Sequence, residues 1–275
     1  MNTALKALQL KARHQVYTLL SGHNLSNLYG EGYDFAELRE YQIGDDIRKI
    51  NWMISAKLGT PYIKELHSNR ELSVVEATLM DSSLYFGSGN HKQHTLTEVA
   101  TLLGYATLQQ NDLFTGLCYT QEHTFATPPT KQHYHIEQFS QTVFDTKLLG
   151  STLSPQPAIE DIFKRIQKPS LIFVLGDFLE EVDLSLLAQK HEVIAIIIRD
   201  KEEEHPHKLG EVTLTNPANN TQMQTYFGKK SAEHYLANYQ AHDEKLMTHF
   251  ANHAIRYVKI CTDDDVVGKL LSLFA

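Results

Sequence analysis

Two aspartates stand where a parallel sheet would put its chemistry. Asp81 follows the apolar run at residues 72–80 (LSVVEATLM), and Asp177 follows Leu171–Gly176 (LIFVLG). Side chains just beyond the carboxyl ends of such strands point into the crevice where open α/β folds bind ligands. If the two strands are neighbours, roughly 4.8 Å apart, one divalent cation could be held by both acids, directly or through water. Ser83 adds a hydroxyl two residues after Asp81. Thr152, in Gly150-Ser151-Thr152, adds another on the loop before the helix that leads to the Asp177 strand. Hard oxygen ligands of this kind suit Mg²⁺ or Mn²⁺. A second reading needs no metal: both acids are satisfied by hydroxyls and helix N-termini.

The elements that must position these groups follow from hydrophobic periodicity. Buried-type strands at 72–80, Leu113–Tyr119, Leu171–Gly176, 193–198 and 256–260 alternate with helical stretches, the pattern of a parallel sheet covered on both faces. Their shortness and β-branched content favour strand over buried helix. Leu96, Val99, Leu103 and Ala106 recur at helical spacing, as do Ile159, Ile162, Phe163 and Ile166, and both sets predict crossover helices. A weaker crossover spans 184–189, a longer polar helix spans 231–251, and Thr262-Asp263 looks like the N-cap of a terminal helix over Val266–Phe274. The expected fold is therefore α/β, with a doubly wound, mostly parallel sheet. Right-handed crossovers in such a fold place the first strand beside a later one where the winding reverses. The first 70 residues differ: an opening helix, a Gly/Asn/Ser-rich loop at 21–32 and a polar segment carrying the only Trp. The expected organisation is an N-terminal module at 1–70 and a sheet domain at 71–275. Segments 121–135 and 200–222 read as surface excursions with turns or short edge strands, and the acidic run 200–204 as a solvated loop.

Composition limits the function classes. The 275 residues carry 33 acidic and 25 basic side chains, a formal charge of −8 without any basic stripe, which argues against nucleic acid as a partner. Hydrophobic residues at 42% suffice for a packed core. No run approaches the ~18 apolar residues of a membrane span, and the first residues lack a signal-peptide block, so the expected location is cytoplasmic. Cys118 and Cys261 lie inside apolar runs and suit a reducing compartment. The histidine pairs 91/94, 133/135 and 205/207 have no third ligand at metal spacing and read as polar surface. The string F-G-K-K-S at 227–231 is not a phosphate loop, because Met223 stands where the first Gly belongs. No G-x-S-x-G or H-E-x-x-H string occurs.

The string Y-Q-I-G-D-D-I-R-K-I-N-W at 41–52 stands out in the N-terminal module. Gly44 can take the angles of a tight turn, Asp45 is a natural N-cap, and Asp46 would lie in the positive first turn of a short helix over 47–57. In one reading this is a structural clip, with Trp52 anchoring the module onto the sheet domain. In the other it is a docking surface, with Arg39, Arg48 and Lys49 as contacts and Trp52 as the anchor.

That string is followed by S-A-K (55–57), Y-I-K-E-L (62–66), D-S-S-L-Y-F-G (81–87), G-S-T (150–152), G-D-F (176–178), H-E-V-I-A (191–195) and R-D-K-E-E-E-H-P (199–206). Their order resembles the bacterial domain-of-unknown-function-58 family, the MoxR-associated proteins with a von Willebrand factor A-like domain. The similarity runs from about Leu38 to the C-terminus. It implies a sheet of von Willebrand factor A type and a metal-ion-dependent adhesion site, onto which Asp81, Ser83, Thr152 and Asp177 map as ligands of Mg²⁺ or Mn²⁺. The last Ser of that motif is Tyr85 here, so the site is degenerate, and a phenol is a poor ligand for a hard cation. The resemblance further implies a non-enzymatic interaction adaptor whose partner is a MoxR-type AAA+ ATPase. The pair would assist assembly or activation of a client protein complex, with room for a peripheral place beside membrane complexes. Without metal, the same crevice attracts basic side chains. The alternative is a metal-dependent phosphohydrolase using Asp81, against which Ser83 occupies the place of the acid catalyst and no lysine is visibly dedicated to phosphate.

Overall fold

The computed structural model describes residues 3–21, 35–42, 45, 47, 50, 52–66, 72–87, 91–206 and 210–274. Six strands form the main sheet: β3 (Ser73–Leu79), β4 (Leu113–Tyr119), β5 (Thr124–Ala126), β6 (Leu171–Gly176), β7 (Glu192–Arg199) and β10 (Arg256–Cys261). Their order is β10-β7-β6-β3-β4-β5, and every pairing is parallel except β4 with the short edge strand β5. The chain leaves β3 toward β4 on one side and later returns to β6 on the other. The winding thus reverses between β3 and β6, the position at which crossovers leave an open crevice. The result is a mixed α/β fold with a mostly parallel sheet, as the alternation of buried-type strands and helical stretches predicts.

Both faces of the sheet are covered, which is why its strands read as unbroken apolar runs. Val74, Met80, Phe173, Leu175, Ile194, Ile196 and Ile198 face one layer, and Val75, Ala77, Leu79, Ile172, Val174, Ala195 and Ile197 face the other. Helices α3 (Lys92–Gln109), α4 (His133–Asp145) and α9 (Val266–Phe274) contribute to the first layer; α5 (Pro155–Arg165), α6 (Ser185–Ala188) and α8 (Lys229–Asn252) contribute to the second. Helix α1 (Thr3–Ser21) lies on α3 and α4, burying Leu5 and Ala12, while Gln9 Nε2 donates to the Glu137 carbonyl at 3.4 Å and Lys11 pairs with Glu98 at 2.5 Å. Strands β1 (Phe35–Glu40) and β2 (Tyr62–Leu66) form a separate antiparallel pair, with α2 (Trp52–Leu58) between them in sequence.

Several local expectations are corrected. The helix expected over 47–57 begins at Trp52, and Asp45 instead closes a turn, accepting from the Gln42 N–H at 2.8 Å. Gly44, Asp46, Arg48 and Lys49 lie outside the described residues. The terminal helix is capped by Asp265, whose Oδ2 accepts from the Gly268 N–H at 3.2 Å, rather than by Thr262-Asp263. Thr262 gives its hydroxyl to Asp200 Oδ2 at 2.6 Å. Beyond the expected elements stand α4 and the β1–β2 pair, while the surface excursion expected over 200–222 contains β8 (Gly210–Thr215), which forms a hairpin with β9 (Gln222–Phe227). The strands of that hairpin are half-buried or exposed.

Candidate functional site at the switch-point crevice

Strand β3 ends two residues before Asp81, and β6 ends one residue before Asp177. Because the two strands are hydrogen-bonded neighbours, the acids meet at the carboxyl rim of the sheet. Asp81 takes extended backbone angles and caps the 3₁₀ turn Ser82–Tyr85 that follows, its Oδ1 accepting the Ser83 N–H at 2.6 Å. The turn swings the Ser83 hydroxyl between the acids, 2.6 Å from Asp81 Oδ1 and in contact with Asp177 Oδ2. A hydroxyl has one proton and can donate to only one carboxylate at a time. The other must be balanced from elsewhere.

The balance comes from Lys92, the first residue of α3. Its ammonium is fully buried and lies 2.9 Å from Asp177 Oδ2 and 2.6 Å from Glu203 Oε1. A lysine in the first turn of a helix opposes the positive end of the helix dipole, so this position is tolerable only because two carboxylates meet it. Glu203 is held in turn by the short helix α7 (Lys201–Glu204). Asp200 caps α7, Glu203 returns its Oε2 to the Asp200 N–H at 3.1 Å, and the two make a capping box. The acidic run 200–204 is therefore not the solvated loop expected of it. Asp200 and Glu203 are buried, and Glu204 joins Lys259 at 2.7 Å.

A second cation extends this network. Arg199, the last residue of β7, is fully buried, donates from Nη2 to Asp243 at 3.0 Å and lies over the Tyr239 ring, 5.0 Å from its centroid. Lys259 on β10 meets the other oxygen of Asp243 at 2.6 Å. Phe178, whose carbonyl also accepts from Arg199 Nη2 at 3.4 Å, takes a left-handed backbone conformation (φ 51°), uncommon for a residue with a side chain. Its carbonyl accepts from His242 Nε2 at 2.8 Å, and its ring packs edge-on against Phe250. This bend turns the chain sharply after Asp177 and lets Asp177 Oδ1 receive the Leu179 N–H at 3.3 Å.

The electrostatics follow from these contacts. Burial alone would push the Asp177 carboxyl up, but the Lys92 ammonium, the Ser83 hydroxyl and the Arg199 charge together hold it below the usual aspartate range. Glu203 shares the same ammonium, yet burial prevails there and its pKa is raised.

Beside this network lies a small open cleft walled by Leu79, Leu153, Pro155, Phe178 and Val182, with Asp81, Asp177 and Glu180 as its acidic groups. Asp81 Oδ2 accepts no hydrogen bond among the described residues, and Glu180 is exposed.

Of the four residues expected to hold a metal, Asp81, Ser83 and Asp177 converge. Thr152 does not join them: it is exposed, and its N–H donates to Gln121 Oε1 at 2.9 Å, while its neighbour Leu153 lines the cleft. Tyr85 is 41% exposed and stacks on His91 at 4.2 Å, so its phenol does not enter the crevice. The donor set that remains does not suit a divalent cation. An ion on Asp177 Oδ2 would sit about 4 Å from the Lys92 ammonium, a repulsion of ~8 kcal/mol at an effective dielectric of about 20. Among the described residues no group of three or more His, Cys, Asp or Glu is arranged to hold a metal.

The docking candidates are placed as follows. Arg39 lies on β1 opposite Ile63, and Trp52 opens α2 with 68% of its surface exposed, beside exposed Met53 and Leu58. Trp52 therefore does not anchor onto the sheet domain as the clip reading requires. Among the described residues no helix is long and apolar enough to cross a membrane. The residues that sequence reasoning missed are Lys92, Arg199 and the Asp200/Glu203 pair. For the last, the D-x-x-E spacing of a capping box was the available signal.

Comparison with known proteins adds relatives without assigned roles. Uncharacterized proteins of Mycobacterium bovis and of two strains of Mycobacterium tuberculosis are each 24% identical over 218 residues, which is 77% of this chain and 69% of theirs. Among solved structures, the conserved hypothetical protein BatB of Bacteroides thetaiotaomicron superposes with a TM-score of 0.42 at 10% identity. An aerotolerance-related membrane protein of Bacteroides fragilis, carrying multiple mutations to serine, superposes with a TM-score of 0.45 at 10% identity. Each match covers 74% of this chain and 96% of the other. The family described as "Protein of unknown function DUF58" matches residues 37–245, and the chain belongs to that family.

Proposed function

We propose that this protein is a non-enzymatic adaptor of von Willebrand factor A-like type that grips a basic side chain of a partner in the switch-point cleft. The single observation behind this reading is the cleft itself: apolar walls, Asp81 with an oxygen that accepts no hydrogen bond among the described residues, Glu180 at the rim, and the nearby cations Lys92 and Arg199 buried and already paired with acids. An arginine or lysine entering it would lay its aliphatic stem on Leu153, Pro155 and Val182 and bring its charge to Asp81 and Glu180. The partner in this reading is a MoxR-type AAA+ ATPase, with a client complex beyond it. The exposed surface of α2 at Trp52 offers a second contact of the aromatic kind that interfaces favour, to which this reading adds Arg39, Arg48 and Lys49 from the sequence alone. Phosphohydrolase chemistry at Asp81 gains no support, since Lys92 is turned toward Asp177 and Glu203 and is not available to a phosphate.

The test is capture of a MoxR-type ATPase from the same genome by the purified protein. Wild type should retain it, Asp81→Asn and Glu180→Gln should each weaken retention several-fold, and Asp81→Arg should abolish it. Retention indifferent to all three changes would remove the cleft from the account. Hydrolysis of a generic phosphate ester with Mg²⁺, lost in Asp81→Asn, would replace the adaptor reading with the enzymatic one.

A further inference from the structure

We infer that the Lys92 ammonium is a tethered replacement for a divalent cation, and that removing it converts the crevice into a metal site. At the carboxyl rim the Ser83 hydroxyl bridges oxygens of Asp81 and Asp177, and Glu203 of α7 shares the Lys92 ammonium with Asp177. The cation that balances this cluster is an amine with no solvent exposure, paired with Asp177 at 2.9 Å and with Glu203 at 2.6 Å. The Phe86 ring lies on a further side of the amine, 6.0 Å away at its centroid. The amine sits in place by covalent tether, at the start of a helix that would otherwise favour an anion there. Such a site needs no metal supply.

The arrangement also changes what the crevice can recognise. A bound divalent ion keeps open positions that a partner carboxylate can fill. The ammonium here is sealed, so no group from outside can reach it, and the charged residues that line the cleft beside it are acidic. Cation and ligand site are thereby separated: Lys92 neutralises the inside of the crevice, and Asp81 faces outward. None of this depends on which partner the cleft receives.

The experiment is a Mn²⁺ titration of the full chain, followed by electron paramagnetic resonance of free Mn²⁺ and by melting temperature. Wild type should take up no stoichiometric ion and show no shift in melting temperature. Lys92→Met should bind one Mn²⁺ per chain with a rise of several degrees, and the rise should vanish on adding Asp81→Asn or Asp177→Asn. Because Lys92→Met leaves two buried carboxylates facing each other, the double variant Lys92→Met/Glu203→Gln provides the same test with one charge fewer. One Mn²⁺ bound by wild type and lost in Asp81→Asn would overturn the inference. So would a folded Lys92 variant that binds none, or variants that remain unfolded even with Mn²⁺ present, since the ion should restore what the ammonium supplied.

Discussion

Lys92 is where the residue-scale energetics concentrate. Removing a buried cation while leaving its carboxylates in place costs about 3–5 kcal/mol, far more than the pair contributes relative to apolar replacements. Lys92→Met should therefore lower unfolding free energy by about that amount in urea, and Lys92→Met/Glu203→Gln should recover part of it. Asp177 makes the same contact sensitive to pH. Its folded-state pKa is depressed, so its contribution is fully present above the unfolded value near 3.8 and is lost as pH falls through the folded value below it. The stability gap between wild type and Asp177→Asn should shrink on acidification below pH ~4, as read from urea midpoints. Glu76 has the opposite sign. It lies fully buried in β3 with neither carboxyl oxygen hydrogen-bonded, and burial raises its pKa well above the usual 4.5. From pH 4.5 up to its folded value the native state keeps a proton that the unfolded chain has lost, so stability falls by up to ~1.4 kcal/mol per pH unit. Glu76→Gln should remove that slope and be more stable than wild type at pH 7.

Short elements, rather than the long ones, set the geometry of the crevice. Asp200 illustrates this: its carboxylate caps α7 through the Glu202 N–H at 3.0 Å and receives Thr262 at 2.6 Å, tying a one-turn helix to the end of β10. Asp200→Ala should cost about 1–2 kcal/mol as a lost cap. Its effect should be less than additive with Glu203→Gln, because the two residues form one capping box; chemical denaturation of the two single variants and the double variant checks this. The same contrast explains what was legible in the sequence. The strands of the parallel sheet are read from apolar runs because both faces are buried, and their order around the reversal point brings Asp81 and Asp177 together as expected. Lys92 is one cation in the polar string K-Q-H-T, and nothing in its spacing shows that the side chain turns inward. Thr152 fails for a related reason. Its loop is set by a left-handed Gly150, whose N–H donates to the Pro217 carbonyl at 2.8 Å on the hairpin tip, and no periodicity encodes that tether. Glu203 was hidden because an acidic run is ordinarily solvent-facing.

Across the whole molecule, the ion pairs around Lys92, Arg199 and Lys259 link α3, β6, β7, α7, α8 and β10 along one rim of the sheet. These cations are already matched by internal acids, so the charge left for a partner at the cleft is that of Asp81 and Glu180, in a chain whose formal charge is −8. A partner presenting basic side chains would be drawn by both the local acids and the overall sign, and exposed attraction of this kind is screened within about 10 Å at 0.1 M salt. Capture of the proposed ATPase partner should therefore weaken as salt rises from 50 to 500 mM, chiefly through a slower association rate measured by surface plasmon resonance. The same capture should be indifferent to EDTA, because a tethered ammonium cannot be chelated. A metal-bridged contact would give the reverse pattern, abolished by EDTA and restored by Mg²⁺, and that outcome would place a divalent ion between the partner and Asp81.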